Sequence, residues 1–379
     1  MIHHFSFPTA ISFGAGSREL VGEHLVAHGK RRPLVITDRG VARLPVFAAF
    51  LESLVKAGLQ PAAFEDVFGN PVRAQVAGAV AAFNRHRADA IVGFGGGAAL
   101  DVAKAAALMA HHPGDLFDYE DGREGARPFD GEIPYWVAVP TTAGTGSEVG
   151  RSTVIADEVT HVKRIIFSPR LLTKAVFADP ELTIGLPAPV TAATGMDALT
   201  HCVEAYLAKG WHPLCDGIAL EGLRLAARSL VRCVRKPTDL AARGDMLMAS
   251  MMGAVAFQKG LGVTHSCAHA LSAAVDMHHG LANAVMIDHA LAHNIEAVPE
   301  RFATLAEVAN LPVRDGEGFL AWLVDLKRDL GIPAGLAEAG VPAEARARLP
   351  DLALADVCHQ SNPRVCTRAD FARLFTAAT

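Results

Sequence analysis

The chain has 379 residues, 51% hydrophobic and 20% charged, with a formal net charge of −5. That length allows two domains with sizeable cores, and the composition is that of an ordinary globular protein. The charge balance gives no reason to expect a nucleic-acid partner, and no apolar run of transmembrane length stands out.

The opening MIHHFSFPTAISFGAGS lacks the charged start, apolar centre and small-residue cleavage site of a signal peptide. Six cysteines are scattered without a C-x-x-C pair. They read as small core residues of a reduced, cytoplasmic protein rather than a disulfide framework.

In chain order, PLVITD (Pro33–Asp38) reads as a buried strand with polar groups at its end, and PVFAAFLESLVKAG as an amphipathic helix closed by glycine. QPAAFEDV reads as a strand, VRAQVAGAVAAFNRHR as a helix, ADAIVGFGGG as a strand, AALDVAKAAALMA as a helix and YWVAVPTT as a buried strand. Repeated strand–helix–strand units predict a mostly parallel sheet covered by helices. After Asp179-Pro180 the pattern turns to long helices: TAATGMDALTHCVEAYLA, LCDGIALEGLRLAARSLVRCV and RGDMLMASMMGAVAF. The predicted organisation is an α/β domain over 1–180 and an all-α domain over 181–379.

Two loops in the first half suit a dinucleotide. Gly93, Gly95, Gly96 and Gly97 lie between a strand and a helix, where backbone N–H groups can approach phosphate. A tight turn with close packing gives the same pattern. The acidic residue of the Rossmann fingerprint follows its glycines by about twenty positions. Here the acidic candidate, Asp38, ends an earlier strand, as a ribose ligand or as a turn aspartate. Its neighbour Arg39 is a residue type that can host a 2′-phosphate. In PTTAGTGSEVGRS, Thr141, Thr142, Thr145 and Ser147 offer hydroxyls directly after a strand, where open α/β sheets bind ligands.

The stretch GLGVTHSCAHALSAAVDMHHGLAN carries the other chemistry. His265 and His269 are one helical turn apart in apolar surroundings, and His279 precedes a glycine. Upstream, Asp197 and His201 share a helix face. With Glu204 three positions on, that pair alone also reads as a solvated stripe. Buried imidazoles need partners, so the set points to a divalent metal. Cys267 is two positions from His265 and His269, which turns it away from both on a helix. His278 adjoins His279 but lacks the following glycine, and the pair His289 and His293 reads as helix packing or cleft lining.

GGGAALDVAK, PTTAGTGSEV, TAATGMDALTHCVEAY and HSCAHALSAAVDMHHGLANAV, in this order, resemble the iron-containing (group III) alcohol dehydrogenases. The likeness runs from FPTAISFGAGS to the closing NPR. It implies an N-terminal α/β dinucleotide-binding domain and a helical C-terminal domain, the architecture shared with dehydroquinate synthases. It implies metal ligands at Asp197, His201, His265 and His279, and an additional active-site histidine at His269. It implies NAD contacts at Asp38, Asn70, Gly95, Gly96, Gly97, Asp101, Thr141, Thr142, Thr145, Ser147 and Lys163. A homodimer is expected from the resemblance alone. Two positions depart from the family pattern: Ala98 stands where a serine is usual, and Ala270 where a proline is usual.

The implied reaction is hydride transfer between NAD(H) and a short-chain alcohol or aldehyde. CDGIALEGL and GAVAFQKGLG further resemble 4-hydroxybutyrate dehydrogenases, a hydroxy-acid substrate. A divalent cation stabilises an alkoxide as Lewis acid, and three imidazoles with one carboxylate suit Fe²⁺ as well as Zn²⁺, Mn²⁺ or Ni²⁺. His269 either relays the alkoxide proton or shapes the pocket. The alternatives are a dehydroquinate synthase-like lyase using NAD and a metal, and a non-catalytic metal- or nucleotide-binding protein.

Overall fold

The computed structural model describes residues 5–7, 9–160 and 162–379. Residues 1–4 and position 8, within the segment compared with a signal peptide, and position 161, two before Lys163, lie outside the described residues. The chain divides into two units. One runs up to Thr142 and resumes over Ser147–Thr183, and the other comprises Ala143–Gly146 and Ile184–Thr379.

The first unit holds β1 (Ala10–Phe13), α1 (Leu20–Ala27), β2 (Pro33–Asp38), α2 (Pro45–Lys56), β3 (Ala62–Val67), α3 (Arg73–His86), β4 (Ala90–Gly95), α4 (Gly97–Met109), β5 (Tyr135–Pro140), β6 (Ser152–Ala156), β7 (Lys163–Phe167) and β8 (Ala175–Ala178). Six strands form one sheet in the order β1-β8-β5-β4-β2-β3, and every neighbouring pair is parallel. The unbroken apolar runs of β2, β4 and β5 follow from cover on both faces. Leu34, Ile36, Ile91 and Trp136 pack under α3 and α4, while the alternate residues Val35, Val92, Phe94 and Val137 pack under α1 and α2. The strands and helices expected between Pro33 and Thr142 are all present. β1, β8 and the antiparallel β6–β7 pair were not expected.

Ile36 is level with Gly93, and Gly95 with Pro140. The carboxyl ends of β2, β4 and β5 therefore adjoin, which groups Asp38, the glycine turn and Thr141 at one end of the sheet.

The second unit is helical: α5 (Ala188–Leu207), α6 (Pro213–Arg235), α7 (Leu240–Ala256), α8 (Val263–Val275), α9 (His279–Ala292), α10 (Pro299–Val308), α11 (Gly316–Leu330), α12 (Ala343–Arg346), α13 (Leu349–Ala355) and α14 (Arg368–Ala377). By length and composition the segment Leu240–Lys259 could cross a membrane, although no such run stood out in the sequence. Its apolarity has a local reason: α7 packs against both α5 and α6. All six cysteines are free thiols, five of them buried.

Candidate functional site

In the α/β unit, β4 ends at Gly95 with φ +157, and a Cβ there would lie 2.7 Å from Ala99 Cβ and 3.4 Å from Asp38 Oδ2. Only glycine lets the turn pass this close. Gly96 caps α4 without a side-chain hydrogen bond. No capping side chain occupies the first N–H groups of the helix, a position where backbone donors can meet an anion. A cavity of about 320 Å³ opens here, lined among others by Asp38, Arg39, Phe68, Gly96 and Ala98.

Asp38 Oδ1 accepts from the backbone of Gly40 and Val41, each at 2.9 Å. The Arg39 guanidinium pairs with Asp66 and stacks 3.9 Å from the Phe68 ring centroid. The arginine that left NADP open in the sequence is thus engaged away from Asp38.

The buried Thr141 hydroxyl has no hydrogen-bond partner among the described residues. Thr142 borders Gly96, where a Cβ would meet its Oγ1 at 3.1 Å. Asp101 is committed within the protein: Oδ1 accepts from Ser147 Oγ at 2.6 Å and Oδ2 from Val154 N at 3.1 Å. Lys104 Nζ donates to the carbonyls of Ser147 and Ser152 at 2.8 and 2.6 Å. These bonds fix the loop that carries Ser147. Val72 bridges to Ala156, which pairs with Lys163, so the segment that follows Asn70 lies beside β6 while Lys163 lies on β7. Thr145 belongs instead to the helical unit.

In the helical unit, α5 brings Asp197 and His201, α8 brings His265, and α9 begins with His279. One potential ligand atom from each of the four lies within 4.8 Å of the others. Asp197 Oδ1 is 3.4 Å from His279 Nε2 and 3.9 Å from His201 Nε2. The His201 and His265 rings stack at 4.8 Å. Gly280 explains the histidine–glycine order: a Cβ there would lie 2.4 Å from the Ala193 carbonyl oxygen. Without that Cβ, α9 closes on α5 and sets His279 beside Asp197.

Glu204, which alone reads as part of a solvated stripe, is buried. Its Oε2 accepts from His265 Nδ1 at 2.7 Å and from Gly262 N at 2.9 Å, and its Oε1 accepts from Thr264 N at 2.6 Å. Burial alone would raise this carboxyl, but the bonds from His265 and Thr264 outweigh it and hold it below its ordinary value. An acceptor at Nδ1 leaves the His265 Nε2 lone pair towards the cluster. Burial, reinforced by neighbouring His265 and opposed by Asp197, pushes His201 down to about 4. His201 is therefore neutral at pH 7, the form a metal needs.

Asn283, not singled out in the sequence, donates to Asp197 Oδ1 at 2.7 Å, with its amide nitrogen 3.3 Å from Nε2 of both His265 and His279. Its buried Oδ1 has no hydrogen-bond partner among the described residues. A buried carboxylate beside imidazole lone pairs is costly without a cation. The donor set, three nitrogens and a carboxylate, fits a first-row divalent ion.

His269 stands outside this group. Its ring stacks on His279 at 5.2 Å, and its Nδ1 bonds Asp356 Oδ2 at 2.7 Å. Cys267 is fully buried, its thiol pushed well above the ordinary value by burial, and it is not among the four. Exposed His278 caps α9, accepting from Leu281 N, and His289 and His293 bond backbone carbonyls of Ala334 and Val365.

The model of the "Iron-containing alcohol dehydrogenase" family matches residues 8–180, and that of the "Fe-containing alcohol dehydrogenase family, C-terminal" matches residues 191–379. A 4-hydroxybutyrate dehydrogenase of Cupriavidus necator is 38% identical over 376 residues, covering 97% of each chain. A 1,3-propanediol dehydrogenase of Klebsiella pneumoniae is 38% identical, covering 98% of this chain and 97% of its own. The crystal structure of a 1,3-propanediol oxidoreductase superposes with a TM-score of 0.94 at 37% identity, covering 100% of both chains. These matches support hydride transfer and lend nothing to the lyase alternative. The chain belongs to the iron-containing alcohol dehydrogenase family, whose enzymes use NAD and a divalent metal.

Proposed function

We propose that this chain interconverts a short-chain alcohol and its aldehyde with NAD(H), using Asp197, His201, His265 and His279 to hold the metal and His269 beside the substrate. The observation that carries the reading is the four-residue cluster with His265 pinned by Glu204. When bound, the divalent ion supplies Lewis acidity towards the substrate oxygen, and NAD supplies the hydride acceptor.

The protein's own residues do the rest. Asp38 receives the ribose hydroxyls and repels a 2′-phosphate. The turn of Gly95, Gly96 and Gly97 presents backbone N–H groups to the pyrophosphate. Thr141, Thr142, Thr145, Ser147, Asn70 and Lys163 make further cofactor contacts, and Asp101 holds the Ser147 loop in position. His269 takes up or returns the hydroxyl proton. In this reading residues 1–180 are the cofactor domain and 181–379 the metal and substrate domain.

The proposed substrate is a short-chain hydroxy acid such as 4-hydroxybutyrate. Support comes from the Cupriavidus relative and from CDGIALEGL and GAVAFQKGLG. Those two segments are joined by an ion pair between Asp216 and Lys259, so part of their likeness reflects packing. A propanediol is the competing substrate. The reading includes a cytoplasmic homodimer acting on small molecules, with no nucleic-acid or membrane partner. The free thiols suit a reduced compartment and the mildly acidic charge suits small-molecule rather than nucleic-acid partners, while the homodimer rests on the family resemblance alone.

The test is anaerobic NADH oxidation by metal-stripped protein, with Fe²⁺ or Zn²⁺ restored, against succinate semialdehyde, lactaldehyde, 3-hydroxypropanal and propanal. Metal-dependent turnover fastest with succinate semialdehyde supports the full reading. Fastest turnover with 3-hydroxypropanal moves the substrate to a diol, and no turnover with any aldehyde sinks the reading.

A further inference from the structure

We propose that Asp356 is a positioning residue that fixes His269 as the tautomer protonated on Nδ1, leaving Nε2 as the bare acceptor. The inference rests on the reading of His269 given above. It comes from four hydrogen bonds that converge on one carboxylate and one hydroxyl.

Ser266 and His269 are three residues apart on α8, so they share a face. Asp356 directly follows α13, which packs on α8. Asp356 Oδ2 lies 2.7 Å from His269 Nδ1. Asp356 Oδ1 accepts from Ser266 Oγ at 2.7 Å and from Cys358 N at 2.9 Å. Ser266 Oγ in turn accepts from His359 N at 2.9 Å. Burial alone would raise the Asp356 carboxyl, but His269, Ser266 and the Cys358 amide outweigh it and hold it far below the ordinary carboxylate range.

An ionised carboxylate only accepts. The proton between Asp356 and His269 therefore belongs to Nδ1, and a neutral imidazole then has its lone pair on Nε2. That is the form able to take a proton from a hydroxyl. A histidine held only by packing needs no such network. Asp356 touches neither reacting atoms nor the four clustered ligands in this scheme; it acts through His269.

The network also predicts an unusual order of variants. In Asp356→Asn the Cys358 N–H must still find an acceptor, and so must the Ser266 hydroxyl. The amide oxygen therefore takes the place of Oδ1. The NH₂ group is then forced onto His269 Nδ1, which must accept, and the ring proton moves to Nε2. Asp356→Ala instead leaves Nδ1 only the Cys358 thiol, 4.0 Å away, a weak partner that can donate or accept, and both tautomers are populated. Positioning thus makes asparagine the more harmful substitution. A merely structural role makes alanine worse, because asparagine keeps the bonds to Ser266 and Cys358.

The experiment compares the two variants as metal-loaded proteins of matched metal content. We expect kcat to fall on the order of 100-fold or more in Asp356→Asn and about tenfold in Asp356→Ala, with KM changed less than about threefold. In the zinc-loaded protein, ¹⁵N spectra of labelled histidine, assigned against His269→Ala, should show the His269 proton on Nδ1 in the parent and on Nε2 in Asp356→Asn. An unmoved tautomer, or alanine equal to or worse than asparagine, overturns the proposal. Full turnover by His269→Ala overturns the role of His269 in the reaction instead, and the spectra then decide the positioning claim by themselves.

Discussion

Glu204 and His265 meet at 2.7 Å with both side chains 1% exposed, and the same carboxylate receives the backbone N–H groups that open α8. One side chain from α5 therefore fixes both the start of a helix and the ring orientation of a proposed ligand on it. Partners of this kind typically contribute a factor of about 10–100 to metal affinity. Glu204→Gln should lose that factor in a chelator-competition titration of the folded protein, and the NH₂ group turned towards Thr264 N should also lower its stability. An unchanged metal affinity contradicts the role.

Gly280→Ala tests the approach of α9 to α5. The added Cβ would meet the Ala193 carbonyl oxygen, a backbone atom that cannot swing aside. We expect a loss of about 1–3 kcal/mol in denaturant unfolding and a lower metal content, because His279 moves with its helix. Parent-like stability and metal content would show that the approach is slack.

Cofactor choice should follow Asp38. Asp38→Gly removes the negative charge beside the glycine turn, and the ratio of kcat/KM for NADH over NADPH should fall by about tenfold or more, equivalent to about 1.4 kcal/mol. An unchanged ratio removes Asp38 from cofactor selection.

Burial raises the Glu148 carboxyl to about 7, partly offset by backbone hydrogen bonding and by Lys104. The unfolded chain ionises this group near 4.5 and the folded one near 7. Between those values the folded state holds the extra proton, so stability falls as pH rises through the window. Glu148→Gln should therefore be more stable than the parent at pH 8, by at most on the order of 3 kcal/mol, with the gap closing towards pH 4.5. A pH-independent difference between the two proteins would falsify this account.

The α/β sheet was legible because β2, β4 and β5 are continuous apolar runs and α2, α3 and α4 alternate with them. β1 and β8 span only four residues each, too short for a pattern to emerge, and β6–β7 is held by its own antiparallel pairing. Asp197 with His201, and His265 with His269, could be picked out because a spacing of four brings side chains onto one helix face; His279 was singled out by the glycine after it and by the family resemblance. What supports them could not. Asp356 is 87 positions from His269, and Asn283 looks like any polar residue on an apolar helix. Glu204 gave a misleading signal, since its spacing from Asp197 and His201 does not say that α8 covers that face. Asn362 was visible only as the first residue of the closing NPR, with no role attached, yet it is buried and pairs with Asn294.

The most direct measurement is metal content, NADH binding and turnover of His265→Ala beside the parent, each reconstituted with Fe²⁺ or Zn²⁺. The account predicts loss of stoichiometric metal and of nearly all turnover, with NADH affinity within about threefold of the parent, since Asp38 and the glycine turn are untouched. Full turnover with retained metal in His265→Ala would contradict the assignment of the metal site.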